Sequence, residues 1–160
     1  MALHKLQLED FYDDEFALFA IHCNLEPYRL AFMLNRQLKI RLARTEDDLD
    51  YNYLEASFSL FEWDNEQEYT TWNLVSNICK REEDSLQSSG SLFEGSHKIL
   101  KSYYLCPEFK NVDYFLKISS EGTPYNEKVI LDHLQAIPQI ITSYCVDVSD
   151  IKSKDNLIFK

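Results

Sequence analysis

The feature that most constrains this chain is the apolar run Phe16-Ala17-Leu18-Phe19-Ala20-Ile21-His22-Cys23. It has strand length and no alternation of polar and apolar positions, which predicts a central strand buried on both faces. Asn24-Leu25-Glu26-Pro27 then reads as a helix start. Asn24 offers a capping side chain, and Pro27 falls in the first turn, where its missing N–H costs nothing. The helix should run to about Leu38. Its apolar residues (Tyr28, Leu30, Ala31, Phe32, Met33, Leu34, Leu38) cover well over half of the helical wheel, and Arg29 and Arg36 mark a narrow solvent stripe. Such a helix is covered on two sides within the fold or lies at an interface. The side bearing Leu30 and Met33 is therefore expected to meet a second surface, in the domain or in a partner. Residues 39–44 alternate strictly and predict a half-exposed strand.

The other end of the chain repeats the plan. Residues 114–118 predict a strand, Thr123 and Pro124 a cap and a first helical position, and residues 125–137 a helix with Ile130, His133, Leu134 and Ile137 on one face. Pro138 stops it, and residues 140–148 form a returning strand. Two strand–helix–strand units of this kind predict a split βαβ, ferredoxin-like sheet with its helices on one face.

Between the units, residues 56–63 and 68–78 flank the polar loop Asp64-Asn65-Glu66-Gln67, a hairpin pattern. With that loop as the whole turn, Phe61 faces Thr70 and lies diagonal to Trp72. Phe61, Trp63, Trp72 and Leu74 then share one face, and Phe58, Leu60, Tyr69 and Val75 the other. Residues 81–97 are polar, small and charged and read as a mobile loop. Residues 98–105 read as a strand ending at Pro107. Residues 152–160 read as a frayed tail from which Leu157, Ile158 and Phe159 could dock back. The sum is a single α+β domain over residues 1–160: an antiparallel-rich sheet from two βαβ-like halves, a central inserted hairpin and two main helices.

A chain of 160 residues can bury a core of its own without disulfides or metal. Its 27 acidic against 16 basic residues give a formal charge of −11, which repels phosphate backbones and argues against a general nucleic-acid binder. Arg36, Lys39, Arg41 and Arg44 are the one dense basic cluster, read as the solvated edge of a helix and the strand after it. Cys23, Cys79, Cys106 and Cys145 lie far apart and form no C-x-x-C pair. Nothing at Met1-Ala2-Leu3-His4-Lys5-Leu6 resembles a signal peptide, and no apolar stretch approaches the ~20 residues needed to cross a bilayer. The expectation is a cytoplasmic protein with reduced thiols and no membrane association.

Candidate chemistry is sparse. His22 and Cys23 are adjacent, so on a strand they point to opposite faces and cannot ligate one ion together. His4, His97 and His133 show no ligand spacing. No local motif singles out a nucleophile and base, so no catalytic residue, metal or cofactor is expected. Glu108 and Asp113 are the most suggestive carboxylates, able to share a proton, bind a cation, or cap the orphan N–H groups of a strand connection. The acidic opening Glu9-Asp10-Phe11-Tyr12-Asp13-Asp14-Glu15 reads as a solvated entry loop or, through Phe11 and Tyr12, as a recognition surface for a basic partner.

Those two carboxylates sit in Cys106-Pro107-Glu108-Phe109-Lys110-Asn111-Val112-Asp113-Tyr114. The block resembles the signature of the IPExxxVDY family of small bacterial proteins. Pro107, Glu108, Val112, Asp113 and Tyr114 match it residue for residue, and Cys106 stands where the family has isoleucine. The opening Leu8-Glu9-Asp10-Phe11-Tyr12-Asp13 and the segment Ser57-Phe58-Ser59-Leu60-Phe61-Glu62-Trp63 also look like family members. The resemblance implies neither a reaction nor a ligand. The expected function is a non-catalytic protein–protein interaction or regulatory module, with another protein or a second copy as partner and Leu30, Met33, Phe11 and Tyr12 as candidate interface. The rival is a small-molecule-binding domain or enzyme, with its ligand near the connection 107–114.

Overall fold

The computed structural model describes residues 16–51, 56–84, 98–122 and 125–159. Strand β1 (Phe16–Cys23) lies inside a six-stranded antiparallel sheet of order β10-β1-β9-β6-β5-β2. Here β2 is Ala43–Arg44, β5 Leu60–Asn65, β6 Thr70–Ser76, β9 Tyr114–Ser120 and β10 Ile140–Val146. Five consecutive residues of β1, Ala17 to Ile21, are buried, as a strand covered on both faces requires. Two further antiparallel pairs stand apart from this sheet: β3 (Leu49–Tyr51) with β4 (Ala56–Phe58), and β7 (Ile78–Asp84) with β8 (Lys98–Tyr104).

The pairings show why the two halves resemble each other. β1 is antiparallel to both β9 and β10, so those two run parallel with β1 threaded between them. Helix α2 (Glu127–Gln135) connects them, which makes a split βαβ unit. Helix α1 (Pro27–Leu38) leaves β1 in the same way, and β6 lies parallel to β1 across β9. The strand expected at residues 39–44 does not fill that returning position. Only Ala43 and Arg44 pair, on β5 at the far edge of the sheet, although the alternation survives in buried Ile40 and Leu42 between exposed Lys39, Arg41 and Ala43.

The hairpin register also differs from expectation. The turn occupies residues 66–69, so Phe61 faces Leu74 and Trp63 faces Trp72. The shift keeps the parity, and these four still share one face. Tyr69, expected opposite them, instead sits in the turn at φ 52° and is exposed. At Ser59 and Asn77 both hairpin strands leave the main sheet, and their continuations become β4 and β7. Residues 81–84, expected in a mobile loop, belong to β7, and residues 85–97 lie outside the described residues.

Two cores result. On one face Phe19, Ile21, Leu74, Leu116 and Ile118 pack beneath Leu30 and Leu34 of α1 and Ile130 and Leu134 of α2. On the other, Leu18, Leu60, Val75 and Phe115 pack beneath Phe58, Leu105, Val112, Ile151 and Leu157. Each fully buried Leu, Ile or Phe contributes about 1.5–3 kcal/mol. The C-terminal segment expected to fray is docked: Leu157 has no exposed surface, and Lys117 Nζ, buried between the Phe16 and Phe159 rings, donates to the Leu157 carbonyl at 2.8 Å.

The caps correct two details. Glu26 holds the N-cap position of α1 without a side-chain bond, in place of Asn24. Asn126 caps α2 by accepting from the Lys128 and Val129 amides, while Thr123 and Pro124 lie outside the described residues.

Candidate functional site

The signature block forms the joint between β8, β1 and the C-terminal segment. Pro107 opens a 3-10 turn, Pro107–Phe109, in a position where no N–H is needed. The turn is held from beneath by Asn77, which has no exposed surface and uses every hydrogen-bonding group it has. Its side-chain oxygen accepts from the Cys106 amide at 2.8 Å, and its Nδ2 donates to the Phe109 and Val112 carbonyls at 2.8 Å each. Its backbone N–H donates to the Asp113 carbonyl and its own carbonyl accepts from the Leu105 amide. A buried amide satisfied on all sides rigidifies what it touches.

Each signature residue has a comparable structural task. Glu108 Oε1 accepts from the Ser153 hydroxyl at 2.6 Å and the Ser153 amide at 2.9 Å, tying down the C-terminal segment. Burial works to raise the Glu108 carboxyl, but the Ser153 donors, with backbone donors of Glu108 and Lys152, outweigh it and hold the group below its ordinary value. Val112 is buried in the second core. Asp113 Oδ2 accepts from the Cys23 amide at 3.0 Å, closing the end of β1, while the Asp113 amide donates to the Ile21 carbonyl. The Tyr114 hydroxyl donates to the Leu25 carbonyl at 2.6 Å, and its burial pushes the phenol up. The two carboxylates thus serve different elements, Glu108 the tail and Asp113 the turn into α1.

Asp113 and Tyr114 also line an open cleft of about 520 Å³ with Cys23, Cys79, Ser76 and Lys80; Glu108 does not reach it. Both signature side chains in the cleft spend a polar atom on the fold. Burial raises the Cys23 thiol and raises that of Cys106 to about 11. Burial, with Glu127 beside it, also takes Cys145 to about 11. Thiols so raised are poor nucleophiles at neutral pH. Among the described residues, no group of three or more His, Cys, Asp or Glu side chains is placed to hold a metal ion. His22 lies on the opposite face from Cys23, its Nε2 3.2 Å from the Tyr144 hydroxyl, and His133 Nδ1 meets Gln37 Nε2 at 3.2 Å.

The candidate interface residues separate. Leu30 is fully buried under α1 and Met33 packs partly against the same core, so α1 is covered there from within the domain. Phe11 and Tyr12 lie outside the described residues. The uncovered apolar surface of α1 belongs to Tyr28 and Phe32, each 61% exposed and one turn apart. Asn77 and this pair are the residues that sequence reasoning did not single out. The available signals were an amide inside Leu74-Val75-Ser76-Asn77-Ile78-Cys79 and two aromatics four apart at the rim of an over-wide apolar arc. Arg29 and Arg36 are exposed, as their stripe predicted.

Comparison of the chain with family models, with curated proteins and with solved structures finds no match. Among the described residues, no helix is long and apolar enough to cross a membrane.

Proposed function

We propose that this chain is a cytoplasmic, non-catalytic protein–protein interaction module of the IPExxxVDY type, with the outer face of α1 as its contact surface. The observation that carries the reading is the exposed pair Tyr28 and Phe32 on a rigid helix anchored from below by Leu30 and Leu34. Aromatics presented at fixed spacing give large contact area at low ordering cost. The signature residues support it indirectly, since their polar atoms hold the fold. A photo-crosslinking side chain at position 32, introduced in the native host, tests the reading. A discrete heterologous adduct, absent when the probe stands at exposed Glu121, is the expected result. Background labelling alike at both positions would remove the basis for the reading.

The 520 Å³ cleft favours a second reading, a small-molecule site bounded by Asp113 and Tyr114. A metabolite that raises the melting temperature of the native protein but not of Lys80→Ala would select it over the first.

A further inference from the structure

We infer that a second copy of this chain docks on the cleft between the end of α1 and the hairpin tip. The cleft, about 590 Å³, is lined by Trp63 and Trp72, by Lys39 and Arg41, and by Asp64, Glu66 and Glu68. The rings face each other across the β5–β6 pair with centroids 6.5 Å apart and are only partly buried. Lys39 ends α1 in the left-handed conformation at φ 58°, a position where glycine is usual. That turn sends residues 40–42 along the helix, fixed by Asn35, whose side chain bonds both the amide and the carbonyl of Leu42. The basic edge is therefore rigid and does not depend on the charges it carries.

Charge identifies the occupant. Residues 27–45 hold Arg29, Arg36, Lys39, Arg41 and Arg44 and no Asp or Glu, within a chain of net charge −11. Arg44 is engaged by Asp48 and lies over the Phe61 ring, whereas Arg36, Lys39 and Arg41 are exposed and form no ion pair among the described residues. Two copies so acidic repel over most approaches, and screening limits that repulsion only beyond about 8 Å. Their favourable approach brings the basic edge of one to an acidic surface of the other. The exposed tip at Glu66 and Glu68 lines the same cleft as Lys39 and Arg41. A cleft that carries basic and acidic groups beside two tryptophans is self-complementary under a twofold rotation that sets each basic group of one copy over an acidic group of the other. Each Lys39–Arg41 edge then lies over the other copy's Glu66–Glu68 tip, and the clefts close on each other.

This goes beyond the α1 reading and uses a different surface, so each can fail alone. The test is sedimentation velocity of the full chain and of two charge-reversal pairs, Lys39→Glu/Arg41→Glu and Glu66→Lys/Glu68→Lys. All four positions are exposed, and circular dichroism verifies the fold. The wild-type chain should dimerise, and each pair alone should weaken the dimer by about tenfold or more. An equimolar mixture of the two should recover it, because both contacts of the mixed dimer are then oppositely charged. Trp63 and Trp72 are the only tryptophans, so their emission should shift to the blue with dimer formation. A chain monomeric at all concentrations, or a mixture no tighter than its components, would overturn the inference.

Discussion

One face of the sheet is covered by two helices whose apolar stripes lie directly on Phe19, Ile21, Leu116 and Ile118. The other is covered by β3–β4, β7–β8, the 3-10 turn and the C-terminal segment, pieces distant in sequence that meet over Leu18, Val75 and Phe115. The helix face is held by continuous apolar packing. The second face is held at points: Asn77 under the turn, Glu108 on Ser153, Asn156 on the Leu105 carbonyl, Lys117 on the Leu157 carbonyl. A core of the first kind loses stability in proportion to volume removed, whereas a cover of the second kind fails when one polar joint is broken.

The largest effect is expected at Asn77. Asn77→Ala leaves the Cys106 amide and the Phe109 and Val112 carbonyls without their partner in a buried site, and should cost roughly 3–5 kcal/mol in urea unfolding. A cost below that of an ordinary surface substitution would show that the joint is replaceable by water. Next come matched deletions on the two faces. Leu34→Ala should lower global stability by about 2–5 kcal/mol as a cavity under α1. Leu157→Ala removes an equally buried side chain, but should act first on the C-terminal segment, seen as faster proteolytic clipping there. Equal global losses with no added clipping would erase the distinction between the faces.

These contrasts follow what the sequence made legible. Periodicity located β1 to the residue and α1 apart from its cap, because a strand buried on both faces and a helix over a sheet both write their environment into the order of side chains. It also put Phe61, Trp63, Trp72 and Leu74 on one face despite a misplaced turn, since a displacement by an even number of residues preserves the face. Residues 39–44 read as the half-exposed strand that closes the first unit because they alternate strictly. The alternation instead records a segment laid along α1. Asn77 and the docking of the tail were not legible: a single amide or carbonyl chosen by a distant backbone leaves no periodic trace. The block from Cys106 to Tyr114 lies at this joint, but the roles of Glu108 and Asp113 emerged only from their separate partners.

Smaller effects sharpen the same comparison. The Glu108 carboxyl is held below its ordinary value, so its contribution is complete above about pH 4.3 and is lost as the pH falls through the folded value. Acid should therefore loosen the C-terminal segment before the helix face, and Glu108→Gln should remove that pH dependence; amide exchange at residues 151–157 is the readout. Smallest of all is thiol reactivity. Four alkyl labels should add under denaturing conditions without reductant, whereas in the native protein Cys106 should label slowest because burial lifts its thiol to about 11 and closes access. Fast native labelling at Cys106 would mean that the second face opens readily.

The most direct test of the two-face account is native-state hydrogen exchange of the unmodified chain across low urea concentrations, read by mass spectrometry. The point-held cover should open as one unit: amides of residues 105–113 and 151–158 should exchange together, at a lower free energy than those of β1 and β9. Exchange of all these segments only through global unfolding, with a single shared free energy and urea dependence, would contradict the account.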